Sequence, residues 1–314
     1  MITELTEAQK AAIPTYVDKW IKIGINTDRL NYDETTDICQ AVQKELLGRP
    51  VTPVVIFNNP VEAWIACNYA VQGTPPNDLH KKVDEYFEGK KIKLEKYTSP
   101  YLTGSFSTAI FSFYDYFKNE LGIDYGSVTD KYNIWQSTSK LGFIFPLPSV
   151  CIVSEKPTRI SLNEERVVHC DGAPAIEYAG RGGIKIYMLN GVTVPDWLAL
   201  THSSKIDLTK YGSISNADVK LEFVRKVGIE RMLDMGKKLD SHEKYKEEWW
   251  TKSEYELWDM HTLYPNVPYA PHLKMKNQTT HVWHVEAVSP QCRSLKDAIA
   301  ERLGGLDGEI KAIA

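Results

Sequence analysis

The hydrophobic pattern of the chain changes at Gly142, and this change constrains the fold more than any other feature. Before Gly142, apolar residues recur at intervals of three or four, which is the spacing of amphipathic helices. From Phe143 to about residue 200, short apolar runs alternate with prolines and glycines, as in strands joined by turns. The pattern predicts an α+β fold with an N-terminal helical part, a central, mainly antiparallel β-hairpin layer, and a C-terminal helix with strands. The expected regions are 1–142 and 143–314, packed as one compact unit.

The helical region begins with Thr6 and Gln9 at the spacing of a capping box. A second helix is predicted over residues 34–47, and the apolar run VVIF at 54–57 predicts a buried strand that leads into a helix at Pro60. Residues 105–121 carry aromatic side chains at helical spacing. We expect them to form a core helix rather than a cofactor-binding stretch.

The second region carries two helix signals and two strand signals. Asn216 is expected to cap a helix over residues 217–235, and Ser294 is expected to cap a last helix over 295–303. The runs 255–263 and 281–288 are rich in β-branched and aromatic residues, which predicts strands.

Composition narrows the classes of partner. The net charge of −4 argues against the basic surface that a nucleic acid requires. The five cysteines are widely spaced and include no Cys-x-x-Cys pair, so we expect a reducing compartment rather than a disulfide framework. The N-terminus has no apolar signal-peptide core, and no apolar run approaches the roughly 18 residues of a membrane span. These features predict a soluble, cytoplasmic protein with no membrane partner.

Few motifs of known chemistry are present. The sequence has no P-loop, no Gly-x-Ser-x-Gly and no His-Glu-x-x-His. AGRGG at 179–183 has two interpretations, a nest of backbone N–H groups for an anion or the loop of a hairpin, and its place between two strand-like runs favours the hairpin. His281 and His284 would point to opposite faces of a strand, so we predict neither a metal site nor a cofactor.

The segment His169–Leu198 is the best candidate for a functional site. In an extended chain, the side chains of His169 and Asp171 project to the same face. A histidine beside a carboxylate is the minimum for general acid–base chemistry. The alternative is a structural role, because a histidine at the mouth of a hairpin often hydrogen-bonds to turn backbone.

The same segment resembles a bacterial and phage motif. VVHCDGAPAIEY followed by IYMLNGVTVPDWL is similar to His-x-x-Asp-Gly-Pro-Ala, then an aromatic strand, then Asn-Gly. With its flanking segments, the resemblance to a family of domains of unknown function covers roughly residues 15–305. His169, Pro174 and Ala175 match the motif, whereas the family's aspartate falls on Gly172, one place after Asp171. The resemblance implies no activity, and repetition of the motif in the family favours a structural hairpin unit.

Two functions remain open from the sequence. The first is a binding or structural module built around the hairpin platform, with a protein or a small molecule as its partner and Trp197, Asn190 and Tyr178 as candidate ligand-binding residues. The second is an enzyme that uses His169 with Asp171 on a small substrate. The further candidates for catalysis in the enzyme are Asp115 and Arg29.

Overall fold

The computed structural model describes residues 4–90, 92–94, 101–245, 254–264, 267–277, 281 and 283–302. The chain divides into two compact units. Unit 1 comprises Met1–Val168 and Pro174–Ile186, and unit 2 comprises His169–Ala173 and Tyr187–Ala314. The chain passes from one unit to the other at three points, all of them after the change of pattern at Gly142. Two of these points divide the segment His169–Leu198 between the two units.

Within the described residues, unit 1 has six α-helices. They are α1 (Glu7–Ile25), α2 (Tyr32–Ala41), α3 (Pro60–Val71), α4 (Leu79–Phe87), α5 (Thr108–Asn119) and α6 (Thr129–Ser137). The predicted capping box is confirmed, because the Gln9 N–H donates to Thr6 Oγ1 over 3.2 Å and the Thr6 N–H donates to Gln9 Oε1 over 2.9 Å. Pro60 occupies the first turn of α3, where its missing N–H is not needed.

A three-stranded sheet forms the centre of unit 1. Its strands are β1 (Val54–Phe57), β2 (Ile144–Pro146) and β3 (Cys151–Ser154), in the order β1-β3-β2. β1 and β3 are parallel, and β2 is antiparallel to β3. Alternate residues of β3 enter two apolar clusters, Ile152 with α3 and Cys151 with α2. Burial on both faces explains why these strands are continuous apolar runs.

A smaller antiparallel sheet in unit 1 consists of β4 (Arg159–Ile160), β5 (Ile176–Glu177) and β6 (Lys185–Ile186). β5 pairs with β6, so AGRGG lies in a hairpin loop, as the sequence predicted. The loop needs glycine, because Gly180 and Gly182 have φ of 92° and 84°.

Unit 2 begins with a second hairpin, β7 (Met188–Leu189) and β8 (Val192–Thr193). Its turn residues Asn190 and Gly191 both have positive φ, 47° and 82°, as a two-residue hairpin turn requires. The helices α7 (Asp196–Leu200), α8 (Ala217–Val227) and α9 (Ile229–Met232) follow. A four-stranded antiparallel sheet and the helix α10 (Leu295–Arg302) complete the unit. The strands of this sheet are β9 (Lys237–Ser241), β10 (Tyr255–Asp259), β11 (Pro271–Lys276) and β12 (Trp283–Ala287).

The predicted α+β fold is confirmed, with N-terminal helices, antiparallel hairpins in the middle, and strands and a helix at the end. Several boundaries differ. The strand predicted over 255–263 ends at Asp259, the strand predicted over 281–288 begins at Trp283, and β11 follows a proline-rich stretch that carried no strand signal. The helix predicted over 217–235 breaks at Gly228, which has φ of 86°. Leu303, the expected end of the last helix, lies outside the described residues.

The prediction that residues 105–121 form a core helix is wrong for its aromatic stripe. Phe113 is 63% exposed and Ile110 is 48% exposed, whereas Phe111 and Asp115 on the neighbouring stripe are buried. Phe111 packs on Trp20 of α1 with ring centroids 5.3 Å apart. Both stripes have helical spacing. The stripe with Phe111 and Asp115 packs against α1, because α1 supplies hydrogen-bond donors for the buried Asp115 carboxylate.

No helix within the described parts of either unit is long and apolar enough to cross a membrane.

Candidate functional site

His169 supports the turn of the β7–β8 hairpin. Its Nδ1 accepts a hydrogen bond from the backbone N–H of Asn190, with 3.0 Å between the two nitrogens. The bond requires an unprotonated Nδ1, so the neutral imidazole carries its proton on Nε2. The histidine therefore stabilises a backbone turn.

Asn190 continues this arrangement into α8. Its Nδ2 donates to Glu222 Oε2 over 2.8 Å, and Arg225 Nη1 donates to Glu222 Oε1 over 2.5 Å. Glu222 is only 1% exposed. We call His169, Asn190, Glu222 and Arg225 the His169 network. Its members hold the hairpin against the helix.

Asp171 has a separate partner. Its Oδ1 lies 2.7 Å from Nζ of Lys226, whose side chain is 4% exposed and also donates to the Ala199 carbonyl over 2.7 Å. The Gly172 N–H donates to the same carbonyl over 2.9 Å. Among the described residues, no hydrogen bond joins Asp171 to His169, so the pair expected from their shared face does not form.

Trp197 has a packing role within unit 2. Its ring meets Phe223 of α8 edge to face, with centroids 6.2 Å apart. Nζ of Lys210 lies 4.5 Å from the centroid of the Trp197 ring. These contacts join α7 to α8.

The hairpin loop of unit 1 receives a carboxylate of its own chain. The Arg181 N–H donates to Glu62 Oε1, and Asn59 Nδ2 donates to the carbonyl oxygens of Ala179 over 3.0 Å and Arg181 over 3.2 Å. Glu62 is buried on α3. Of the two interpretations of AGRGG, the hairpin loop is confirmed. The backbone N–H of Arg181 in this loop binds the side chain of Glu62 rather than a free anion. Tyr178, at the start of the loop, is buried, which raises its pKa to about 12.

Asp115 and Arg29 belong to unit 1, whereas His169 and Asp171 belong to unit 2. Asp115 is buried on α5, and its carboxylate accepts hydrogen bonds from Lys19 Nζ over 2.6 Å, Trp20 Nε1 over 2.8 Å and Asn119 Nδ2 over 2.5 Å. The bonds from Lys19 and Trp20 join α5 to α1, whereas the bond from Asn119 lies within α5. Arg29 Nε lies 3.8 Å from Glu155 Oε2.

Unit 1 contains a cavity of about 580 Å³ that no sequence motif indicated. We call it the lysine cavity. Its walls come from the end of α1 and the loop after it, from α6 and the turn after it, and from the chain after β3. The charged residues that line it are Lys19, Lys22, Asp28, Lys140 and Lys156. Lys19 and Lys22 share a helix face, but Lys140 and Lys156 come from distant segments of the chain. No local sequence pattern therefore predicts the site.

Lys156 is the most constrained of the four lysines. It follows β3 at the carboxyl end of the parallel pair β1 and β3, which is where open α/β sheets bind ligands. The residue is 4% exposed, and its Nζ donates to Asn26 Oδ1 over 3.0 Å. Burial lowers the pKa of Lys156. Asn26 is fixed in turn, because its Oδ1 accepts from the Asp28 N–H and its Nδ2 donates to Asp28 Oδ2, both over 2.8 Å.

The lining of the lysine cavity carries excess positive charge. Lys19 is paired with Asp115, and Asp28 is the acidic residue of the lining. Within the described residues, Lys22 and Lys140 make no ion pair and no hydrogen bond through their side chains. The cavity therefore presents ammonium groups that can bind an anion.

Other types of site have less basis in the geometry. In the part of the chain that the structure describes, no group of three or more His, Cys, Asp or Glu side chains is placed to hold a metal ion. His284 lies on β12, whereas His281 precedes the strand with φ of 56°.

Comparison of the chain with protein-family models, with curated proteins and with solved structures gives no match. The chemistry of the lysine cavity must therefore be inferred from its own residues.

Proposed function

We propose that the chain is a binding protein and that the lysine cavity takes a small organic anion. The observation that carries the proposal is the convergence of three lysines on one cavity. Lys156 is buried, and the side chains of Lys22 and Lys140 have no partner in the part of the chain that the structure describes. Its volume of about 580 Å³ lies within the usual range for small-molecule sites.

Charge supports an anionic ligand. A buried ammonium group is costly, and a carboxylate or phosphate within hydrogen-bond distance would offset that cost. Lys22 lies in the last turn of α1, where the carbonyl end of the helix favours a cation. The helix end therefore stabilises the positive charge of Lys22 at the cavity, and the ligand supplies the remaining negative charge.

The remaining lining supports an organic ligand over a bare inorganic ion. Trp20, Ile23 and Leu30 contribute apolar surface to the cavity. The indole N–H of Trp20 is bonded to Asp115, so only the apolar part of this side chain is left for a ligand. A ligand with an anionic group on a compact hydrophobic part fits both kinds of wall.

The two functions expected from the sequence have less support. Acid–base chemistry by His169 needs an orienting partner, but Asp171 pairs with Lys226 instead. For the hairpin platform, the predicted ligand-binding residues Asn190 and Trp197 make contacts within the protein. The resemblance to a family of domains of unknown function adds no chemistry to either.

The proposal includes a cytoplasmic location and a small-molecule partner. All five cysteines are free, and four of them are buried. Free thiols of this kind suit a reducing compartment.

Calorimetric titration with phenyl phosphate tests the proposal, with benzyl alcohol as the neutral ligand of similar shape. We expect phenyl phosphate to bind and benzyl alcohol not to bind. Lys156→Met should weaken phenyl phosphate by about tenfold or more, as expected for loss of a charge-assisted hydrogen bond. Lys81→Ala removes the same charge from an exposed position outside the cavity, and should change the affinity by less than about twofold.

The proposal fails if benzyl alcohol binds as well as phenyl phosphate, or if Lys81→Ala weakens binding as much as Lys156→Met does. The first result would show an apolar cavity without charge selection. The second would show a diffuse effect of net charge.

A further inference from the structure

A second cavity of unit 1 is walled by aromatic rings. It has a volume of about 230 Å³, and Tyr114, Tyr125, Tyr132 and Trp135 line it together with Leu46, Val128 and Lys131. We call it the aromatic pocket. Helix α6 contributes residues to both cavities, Tyr132 and Trp135 to this one and Asn133 and Gln136 to the lysine cavity.

The rings of the aromatic pocket stand at steep angles to each other. Tyr125 and Tyr132 have centroids 5.1 Å apart and an interplanar angle of 69°. Tyr114 is inclined by 69° to Trp135 at 5.7 Å and by 73° to Tyr125 at 6.2 Å. Rings arranged in this way form a box rather than a stack.

Hydrogen bonds hold two of the rings in place. The Tyr125 hydroxyl donates to the carbonyl oxygen of Tyr114 over 2.6 Å, and Gln136 Nε2 donates to the Tyr132 hydroxyl over 3.0 Å. Because Tyr125 and Tyr132 are fixed by their own chain, a ligand does not have to order these two rings, which lowers the entropic cost of binding.

The electrostatics of the aromatic pocket favour a cation. The face of an aromatic ring carries negative charge and attracts cations within about 6 Å. Nζ of Lys118 already lies 5.4 Å from the centroid of Tyr132, so the ring attracts a cation of its own chain. Burial raises the pKa of Tyr132, and the negative charge of Asp115 raises it further.

We propose that the aromatic pocket binds a quaternary ammonium group, such as a trimethylammonium headgroup. Such a group has no N–H to satisfy and is weakly hydrated, so an apolar box of ring faces can replace its water. Ordinary ammonium ions keep their water and their hydrogen bonds. Lys131 in the lining repels both kinds of cation, so the preference for a quaternary ammonium group comes from the ring faces. The site is independent of anion binding in the lysine cavity.

Titration with choline, followed by NMR of the tryptophan indole N–H groups, tests the proposal. The neutral isostere 3,3-dimethylbutan-1-ol has the same shape without the charge. We expect choline to shift the Trp135 signal and to bind about fivefold or more tightly than the isostere, which is the contribution of a cation on ring faces.

Variants of Tyr125 show whether the ring face is responsible. Tyr125→Leu removes the face, and should weaken choline by about fivefold or more. Tyr125→Phe keeps the face and loses the bond to Tyr114, so it should stay within about twofold of the parent. Phe113→Leu is the matched control, since this exposed ring on α5 does not line the pocket. Circular dichroism and thermal unfolding establish that each variant is folded, and Trp135→Leu provides a second test of the same wall.

Equal affinity for choline and its isostere would overturn the proposal, because the pocket would then select shape alone. Choline binding that survives both Tyr125→Leu and Trp135→Leu in folded protein would overturn it as well, since the cation would then lie elsewhere. The absence of choline binding to the parent protein would do the same.

Discussion

The lysine cavity of unit 1 and the His169 network of unit 2 both gather polar and charged side chains, but they differ in how these are paired. In the His169 network, Glu222 accepts hydrogen bonds from Asn190 and from Arg225, and His169 accepts one from the backbone. In the lysine cavity, Lys156 has one neutral partner, and Lys22 and Lys140 have none within the described residues.

The difference in pairing indicates that the His169 network contributes to stability and the lysine cavity to binding. Charged groups that are paired within the chain stabilise the fold and leave little free energy for a ligand. A buried ammonium group such as that of Lys156, with a neutral hydrogen-bond partner, costs stability and gains interactions when an anion binds. Substitutions in the two places should therefore act in opposite directions, and the measurements below test that contrast.

The largest effect is expected at Glu222. Replacing it with alanine removes a buried carboxylate together with the hydrogen bonds that it accepts from Asn190 and Arg225, so we expect the free energy of unfolding to fall by about 3 kcal/mol. Urea denaturation measures the change, and Glu222→Gln, which keeps the shape and one acceptor, should cost about 1 kcal/mol. Phenyl phosphate affinity should not change. If Glu222→Ala weakened phenyl phosphate binding and left the free energy of unfolding unchanged, the contrast between the His169 network and the lysine cavity would be wrong.

A smaller effect of opposite sign is expected at Lys156. Lys156→Met should raise the free energy of unfolding by about 1 kcal/mol at pH 7, as when an apolar side chain of similar volume replaces a buried charge. Burial lowers the folded-state pKa of Lys156 below its ordinary value of 10.5. As the pH rises toward 10.5, the folded protein loses this proton before the unfolded chain does, so the penalty disappears and the two proteins converge. A Met variant that is less stable at pH 7 would show that Lys156 is structural.

The smallest effect is expected at His169. His169→Ala removes one hydrogen bond in a partly exposed place, and should lower the free energy of unfolding by about 0.5 kcal/mol. The backbone N–H of Asn190 should exchange with solvent faster in the variant. Hydrogen exchange followed by NMR measures this rate directly. His284→Ala, at an exposed position on β12, is the control and should change neither quantity. Unchanged exchange at Asn190 would remove the turn-supporting role of His169.

The predictions that depend on short sequence motifs agree best with the structure. The capping box at Thr6, the strand VVIF at 54–57 and the Asn190–Gly191 turn all depend on neighbouring residues, and all three are present. Strand boundaries such as Asp259 were missed, because the run continues with apolar residues while the backbone leaves the sheet.

The candidate site was only partly accessible from the sequence. His169 and Asp171 were recognised as side chains able to do chemistry, but their partners, Asn190 and Lys226, lie 21 and 55 residues away along the chain. The lysine cavity was missed entirely, since Lys22, Lys140 and Lys156 meet only in the folded protein.

The sequence by itself determined the α+β class, most helices and the two hairpin turns, because hydrophobic period, caps and turn residues act over a few positions. Only the tertiary structure decided which stripe of α5 is buried and which donors each buried carboxylate accepts from. It also decided which lysines of the cavity have no acceptor among the described residues. The physical reason is that burial and pairing depend on distant groups that share one place in space. Residue type shows which hydrogen bonds and ion pairs a side chain can make. Its neighbours in the fold decide whether these are made within the chain or left for a ligand.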